Sequence, residues 1–151
     1  MVGAAPRADE TLTAAVLRTI DHTPELAIAA LPHCYWHDGL LLDLDAIAEK
    51  AKMLGAIETI TVDARDRFAD ELLSLAIKAN ADYQGGYALC TPLGRIIISQ
   101  LAVEYAEKYN CTVIAHGATG KGNDQVRFET YITTLNLQLK ILAPVREWSM
   151  G

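Results

Sequence analysis

The sequence is short of cysteine, of positive charge and of long apolar runs, and each shortage removes a class of protein. Three cysteines in 151 residues, Cys34, Cys90 and Cys111, sit at wide and unpatterned spacing. They fit neither a bridged secreted scaffold nor a zinc ribbon, and the odd count reads as reduced thiols packed as small hydrophobes. Thirteen Lys and Arg against nineteen Asp and Glu leave a net charge of -6. A broad nucleic-acid surface needs clustered cations to displace counterions from phosphates, so nucleic acid is not an expected partner. No apolar run approaches the roughly 18 to 20 residues that cross a bilayer, and the opening "MVGAAPRADE" lacks the charged head and apolar segment of a signal peptide. A soluble cytoplasmic protein with no membrane partner is expected.

What is present is an alternation of strand-like and helix-like segments. Leu12, Ala15, Val16 and Ile20 recur at helical spacing, "DHTPE" makes a turn and "ELAIAAL" reads as a buried strand. After the loop-like "PHCYWHDG", Asp43 caps a helix whose face is Leu44, Ile47, Ala48, Ala51 and Leu54, and Gly55 closes it. "IETITVD", residues 57 to 63, has strand composition, and Phe68, Leu72, Leu75, Ala76 and Ala79 mark the next helix face. A long loop from Asn80 to Pro92 leads into a helix from about Leu93 to Tyr109, with Ile96, Ile97 and Leu101 as core. "CTVIA" and the alternating "NLQLKILAP" supply two further strands. Repeated strand-helix units predict an α/β fold, one domain over residues 1–151, with a parallel sheet flanked by helices on both faces. The weak "MVGAA" leaves the first strand incomplete.

In such sheets ligands bind beyond the carboxyl ends of the strands, and there the chain carries its densest polar stretch, "AHGATGKGNDQVRFE". Gly117, Gly120 and Gly122 permit positive φ and close approach of the backbone, so amides can converge on a phosphate or a carboxylate. The spacing is neither a Walker A loop nor a dinucleotide fingerprint. Asn123 or Asp124 can cap the following helix, and Arg127, about one turn on, can grip a carboxylate in bidentate fashion. The competing view is a plain Gly-rich turn with Lys121 solvated and Arg127 in a surface ion pair.

The string "HGATGKGNDQVRFE" resembles the signature of the argininosuccinate synthase family. "AEKAKMLGA", "VDARDRF", "AIKANADYQGGYALCTPLGR" and "APVREW" resemble further family segments in the same order, so the resemblance covers about residues 40 to 148. It implies an adenine-nucleotide α-hydrolase-like, Rossmann-like domain of a ligase in arginine biosynthesis. The implied reaction joins citrulline to aspartate at the expense of ATP: the ureido oxygen attacks the α-phosphorus, pyrophosphate leaves, and the aspartate amine displaces AMP. The resemblance assigns Gly117 to the nucleotide, Thr119, Asn123 and Asp124 to aspartate, and Tyr87, Asn123 and Arg127 to citrulline. It implies ATP with Mg2+, no protein metal site, and a homo-oligomer or a separate synthetase-domain chain as protein partner. It names no catalytic residue.

The chain departs from the family pattern in three places. Where the family carries a pyrophosphate loop of the form "SGGxDTS", this chain has "PRADETL", Pro6 to Leu12. Proline has no N–H to give and alanine resists positive φ, so weakened ATP binding is expected. Pro92 replaces a hydroxyl residue that helps to bind citrulline, with Cys90 close by. The chain ends at Gly151, before the family's synthetase domain, so an incomplete enzyme is expected, the alternative being a noncatalytic amino-acid-binding or regulatory module. Elsewhere, His33, Cys34 and His37 lack a fourth metal ligand at sensible spacing and read as packing and turn residues. His116 reads as a strand-end histidine fixed by backbone, and Arg146 and Trp148 as the domain's closing edge.

Overall fold

The computed structural model describes residue 14 and residues 41–118 and 122–147. Of the predicted helix at residues 12–20 only Ala14 is described, and it is helical; the strand "ELAIAAL", the segment Pro6 to Leu12, the His33, Cys34 and His37 group, and Trp148 lie outside these residues. In chain order the elements are α1 (Leu44–Met53), α2 (Arg65–Phe68, a wide π turn Ala69–Leu73, then Ser74–Lys78), β1 (Asp82–Tyr83), β2 (Tyr87–Ala88), α3 (Cys90–Lys108), β3 (Val113–Ala115), α4 (Asp124–Leu135), β4 (Lys140–Leu142) and α5 (Pro144–Glu147).

The helix boundaries follow from local chemistry. Asp43 accepts from the Ala46 N–H, which satisfies one of the donors that the first turn of α1 leaves without a partner. Three helices end on one device. Gly55, Asn80 and Asn110 take φ of +99°, +47° and +54° directly after the caps of α1, α2 and α3. The next residues, Ala56, Ala81 and Cys111, then donate back to the carbonyls of Ala51, Ala76 and Ala106 at 2.8 to 3.0 Å. Glycine pays no steric penalty in the left-handed region, and asparagine is the side chain that best tolerates it.

The core forms where α3, β3 and α4 meet. Val103 and Ala106 from α3, Ile114 from β3 and Ile132 from α4 are buried together, with Ala102, Phe128, Leu139 and Ile141 packed against them. Strands β3 and β4 run parallel, with Val113 opposite Lys140, Ile114 opposite Ile141 and Ala115 opposite Leu142. The ladder continues by one bond at each end, from Lys140 N–H to Thr112 O and from His116 N–H to Leu142 O. Strand, crossover helix and parallel strand make a β3–α4–β4 unit of the Rossmann-like α/β type expected from the sequence.

Three expectations are corrected. The segment 57–63 forms no ladder with any described residue, and Ile57 is fully exposed at 101%, with Ile60 and Val62 also exposed. Its composition suits a pleated surface, but a strand exists only through pairing. Asp63 ends the segment by accepting from the Arg65 N–H and guanidinium, which turns the chain into α2 and holds its own carboxyl down at about 2. Second, Leu75 on the predicted α2 face is 58% exposed, whereas Phe68, Leu72 and Ala76 are half-buried. The wide turn lengthens the local period to every fourth residue, which rotates Leu75 toward solvent. Third, the long loop before α3 is shorter than expected: β1 and β2 pair as an antiparallel hairpin, and α3 starts at Cys90. Pro92 stands in the first turn of α3, where its missing N–H leaves no helical bond unmade.

Candidate functional site

The end of β3 and the head of α4 frame the site, because the crossover starts where the parallel ladder stops. His116 leaves β3 held by its backbone bond to Leu142, and its Nδ1 accepts from the Ala118 N–H at 3.3 Å. Its ring lies tilted against Phe128 at 5.3 Å, so the histidine is fixed by backbone and packing, as its position after the strand predicts. Gly117 follows and is exposed. Thr119, Gly120 and Lys121 lie outside the described residues. Gly122 takes φ +89° with open space where a Cβ would stand, so its requirement for glycine is conformational.

Asn123 occupies the cap position of α4, and its carbonyl accepts from the Arg127 N–H at 3.1 Å. Its side chain makes no capping bond, so of the two cap candidates neither serves by side chain. Asp124 does something else. Its Oδ1 accepts from Arg127 Nη1 at 3.1 Å, one turn along α4, and its Oδ2 accepts from Arg95 Nη2 at 2.9 Å, across from α3. Burial alone pushes the Asp124 carboxyl up, but the adjacent Arg95 and Arg127 guanidiniums outweigh it and hold the group below the ordinary carboxylate range. The positive end of α4 acts in the same direction.

Arg95 sits between two partners, its guanidinium 5.8 Å from the centre of the Phe128 ring while it bonds Asp124. One turn further along α3, the buried Ser99 donates its hydroxyl to the Arg95 carbonyl at 2.8 Å. Arg95, Phe128 and His116 thus stack from α3 across α4 to the end of β3. A divalent cation does not fit this cluster: the carboxylate it offers is already held by two guanidiniums, whose charge opposes a metal ion.

The predicted site residues are therefore brought together in part. Asp124 and Arg127 share a hydrogen bond and Asn123 adjoins them at the head of α4. Tyr87 stands on β2, paired with Tyr83 across the hairpin and 51% exposed, three residues before α3 begins. Among the described residues no hydrogen bond or ion pair joins it to Asn123, Asp124 or Arg127. Arg95 is the member that sequence reading passes over, 29 positions from its partner. Its signal is a single charge in the run "PLGRIIIS", where an arginine among apolar neighbours needs a partner.

Comparison with known proteins identifies the family of this fold. Residues 39–151 match the family model described as the arginosuccinate synthase N-terminal HUP domain. The chain is 54% identical over 106 residues to the argininosuccinate synthase of Brevibacillus brevis, covering 70% of this chain and 25% of the relative. It is 50% identical over 107 residues to that of Geobacillus thermodenitrificans, covering 71% and 26%. Against that of Nostoc punctiforme it is 52% identical over 109 residues, covering 72% and 27%. The chain spans about a quarter of the length of these curated relatives. With the matched region running through β3, α4 and β4 and covering most of the chain, the chain belongs to the argininosuccinate synthase family, in the part that forms its N-terminal HUP domain.

Proposed function

We propose that this chain serves as the nucleotide-binding portion of a cytoplasmic ligase that condenses citrulline with aspartate using ATP, and that it works with a synthetase portion supplied by a partner chain or by more of its own. The observation that carries this reading is the Arg95, Asp124 and Arg127 cluster at the head of α4, beyond the carboxyl end of β3. Arg127 offers a planar fork suited to the α-carboxylate of citrulline, and Asp124 offers acceptor oxygens to the ammonium of aspartate. In this reading Asn123 touches both amino acids, Thr119 assists aspartate, Tyr87 closes over citrulline, and Gly117 lets the nucleotide approach the main chain. Magnesium travels with the ATP phosphates, and no protein ligand to it is assigned. The domain's own contribution is alignment: it sets the ureido oxygen against the α-phosphorus and then the amine against the same centre.

Titration calorimetry of the full chain with ATP, citrulline and aspartate, coupled to a pyrophosphate-release assay, tests the proposal. Binding of citrulline and aspartate, with pyrophosphate released once a synthetase portion is added, supports it. Absence of binding by all three ligands overturns it. Amino-acid binding with no release under any combination favours a noncatalytic module.

A further inference from the structure

Arg127 faces a conflict in this site. It lies one turn from Asp124 on the same helix, and an arginine beside a carboxylate tends to close on it with two parallel N–H···O bonds. Were that to happen here, the fork assigned to a substrate carboxylate would be consumed inside the protein. It does not happen: Arg127 gives Asp124 one bond, through Nη1 to Oδ1, and the other oxygen is occupied by Arg95.

We propose that Arg95 is a positioning residue, which claims the second oxygen of Asp124 from α3 and so leaves Arg127 with donors for a substrate carboxylate. The role rests on the functional reading above for its substrate, but its geometry is independent of it. Arg95 is suited to the task because its own freedom is small. Its side chain is about one-fifth exposed, its guanidinium lies by the Phe128 ring, and its Nε is buried with no acceptor among the described residues. Phe128 is in turn braced by His116 at the end of β3. The bond from Arg95 to Asp124 therefore ties the first residue of α4 to a long helix that is packed into the core. Among the described residues, the charged and titratable groups around Asp124 are Arg95 from α3, Arg127 on α4 and, beyond Phe128, His116.

The test uses the full 151-residue chain and its Arg95→Met and Arg95→Lys variants. Carboxyl-carbon NMR follows the titration of Asp124, and side-chain nitrogen NMR follows the Arg127 guanidinium. Calorimetry compares citrulline with its carboxamide, which lacks the charged carboxylate. With methionine at position 95, the Asp124 midpoint is expected to rise and Arg127 to show two slowed donor groups as it closes on the carboxylate. Citrulline should bind at least about tenfold more weakly, the size expected for one charge-assisted hydrogen bond, while the carboxamide changes little. Lysine at position 95 should recover most of the midpoint and part of the affinity. A purely structural role would weaken citrulline and carboxamide alike. If the methionine variant leaves the Asp124 midpoint and the Arg127 signals as they were, or weakens both ligands equally, the proposal is wrong. Should the methionine variant fail to fold, Arg95→Leu takes its place and is judged by the same outcomes: a closed Arg127 pair supports the role, and unchanged Arg127 signals overturn it. A wild-type chain that ignores citrulline defeats the functional reading, while the two NMR readouts still judge Arg95.

Discussion

Replacing Ile132 by alanine is expected to loosen the packing that holds the head of α4 in place. Ile132 is 1% exposed and sits among Val103, Ala106 and Ile114, so the substitution removes three carbons from the point where α3, β3 and α4 meet. At about 0.8 kcal/mol per buried methylene, transfer alone accounts for roughly 2.4 kcal/mol. A cavity that only partly collapses adds to this, giving about 3 to 4 kcal/mol. For a domain whose whole stability is of the order of 5 to 15 kcal/mol that is a large share. With a urea slope of about 2 kcal/mol per molar, the unfolding midpoint should fall by roughly 1.5 to 2 M at unchanged slope. Leu137→Ala, at a position 78% exposed just past α4, serves as control and should stay within about 0.5 kcal/mol. A loss below about 1 kcal/mol for Ile132→Ala would refute the placement of this residue at the centre of the core.

Three further outcomes are expected. Gly122→Ala meets no neighbour within 4 Å but must hold φ at +89°, so it should cost about 1 to 2 kcal/mol in urea unfolding through backbone strain alone, and a neutral result would contradict the assigned conformation. Asp43→Ala removes the α1 cap to Ala46 and should cost about 1 kcal/mol, with Asp43→Asn recovering most of it in thermal melts. Because folding lowers the Asp124 carboxyl below its unfolded value, its contribution to stability is complete above the ordinary carboxylate range and is lost as pH falls through the lowered folded value. Glu104, held down chiefly by its hydrogen bond to Arg67, adds a dependence of the same sign. Urea midpoints measured from about pH 6 down to pH 2 should therefore decline below about pH 4, and Asp124→Asn should flatten that decline; an equal slope in both proteins would exclude Asp124 as a source.

What the sequence made legible was local. The α1 helix announces itself through Asp43 and Gly55, and the β3–α4–β4 unit through two short apolar runs around a polar turn, because capping and periodicity act within a few residues. The errors came where a neighbour decides. Residues 57–63 have the right side chains for a strand, yet pairing is a property of two segments and none of the described ones meets them. The π turn in α2 is likewise silent in the sequence and shifts which side chains face inward. At the candidate site, Asn123, Asp124 and Arg127 group together in the sequence because one turn of helix joins them. Arg95 was passed over because its partner is 29 positions away and only the packing of α3 on α4 reveals the pair.

The doubly bonded Asp124 also bears on how one carboxylate can serve a protein arginine pair and a substrate ammonium together. A carboxylate has about four acceptor positions, two on each oxygen, and the two arginines occupy one on each. About half its capacity is left over, and the guanidiniums hold the carboxyl below the ordinary carboxylate range. Two cations against one anion nevertheless leave the cluster with a net positive charge, to which the head of α4 adds. An ammonium approaching alone would meet opposition, whereas a zwitterion brings a carboxylate that offsets the surplus charge. On the proposed function, the cluster should therefore bind α-amino acids in preference to simple amines. Calorimetry comparing citrulline with its decarboxylated amine, N-carbamoylputrescine, should show the loss of the α-carboxylate costing more than tenfold in affinity, since its charge-assisted bond to Arg127 is lost; equal binding of the two would contradict the charge balance derived from this geometry.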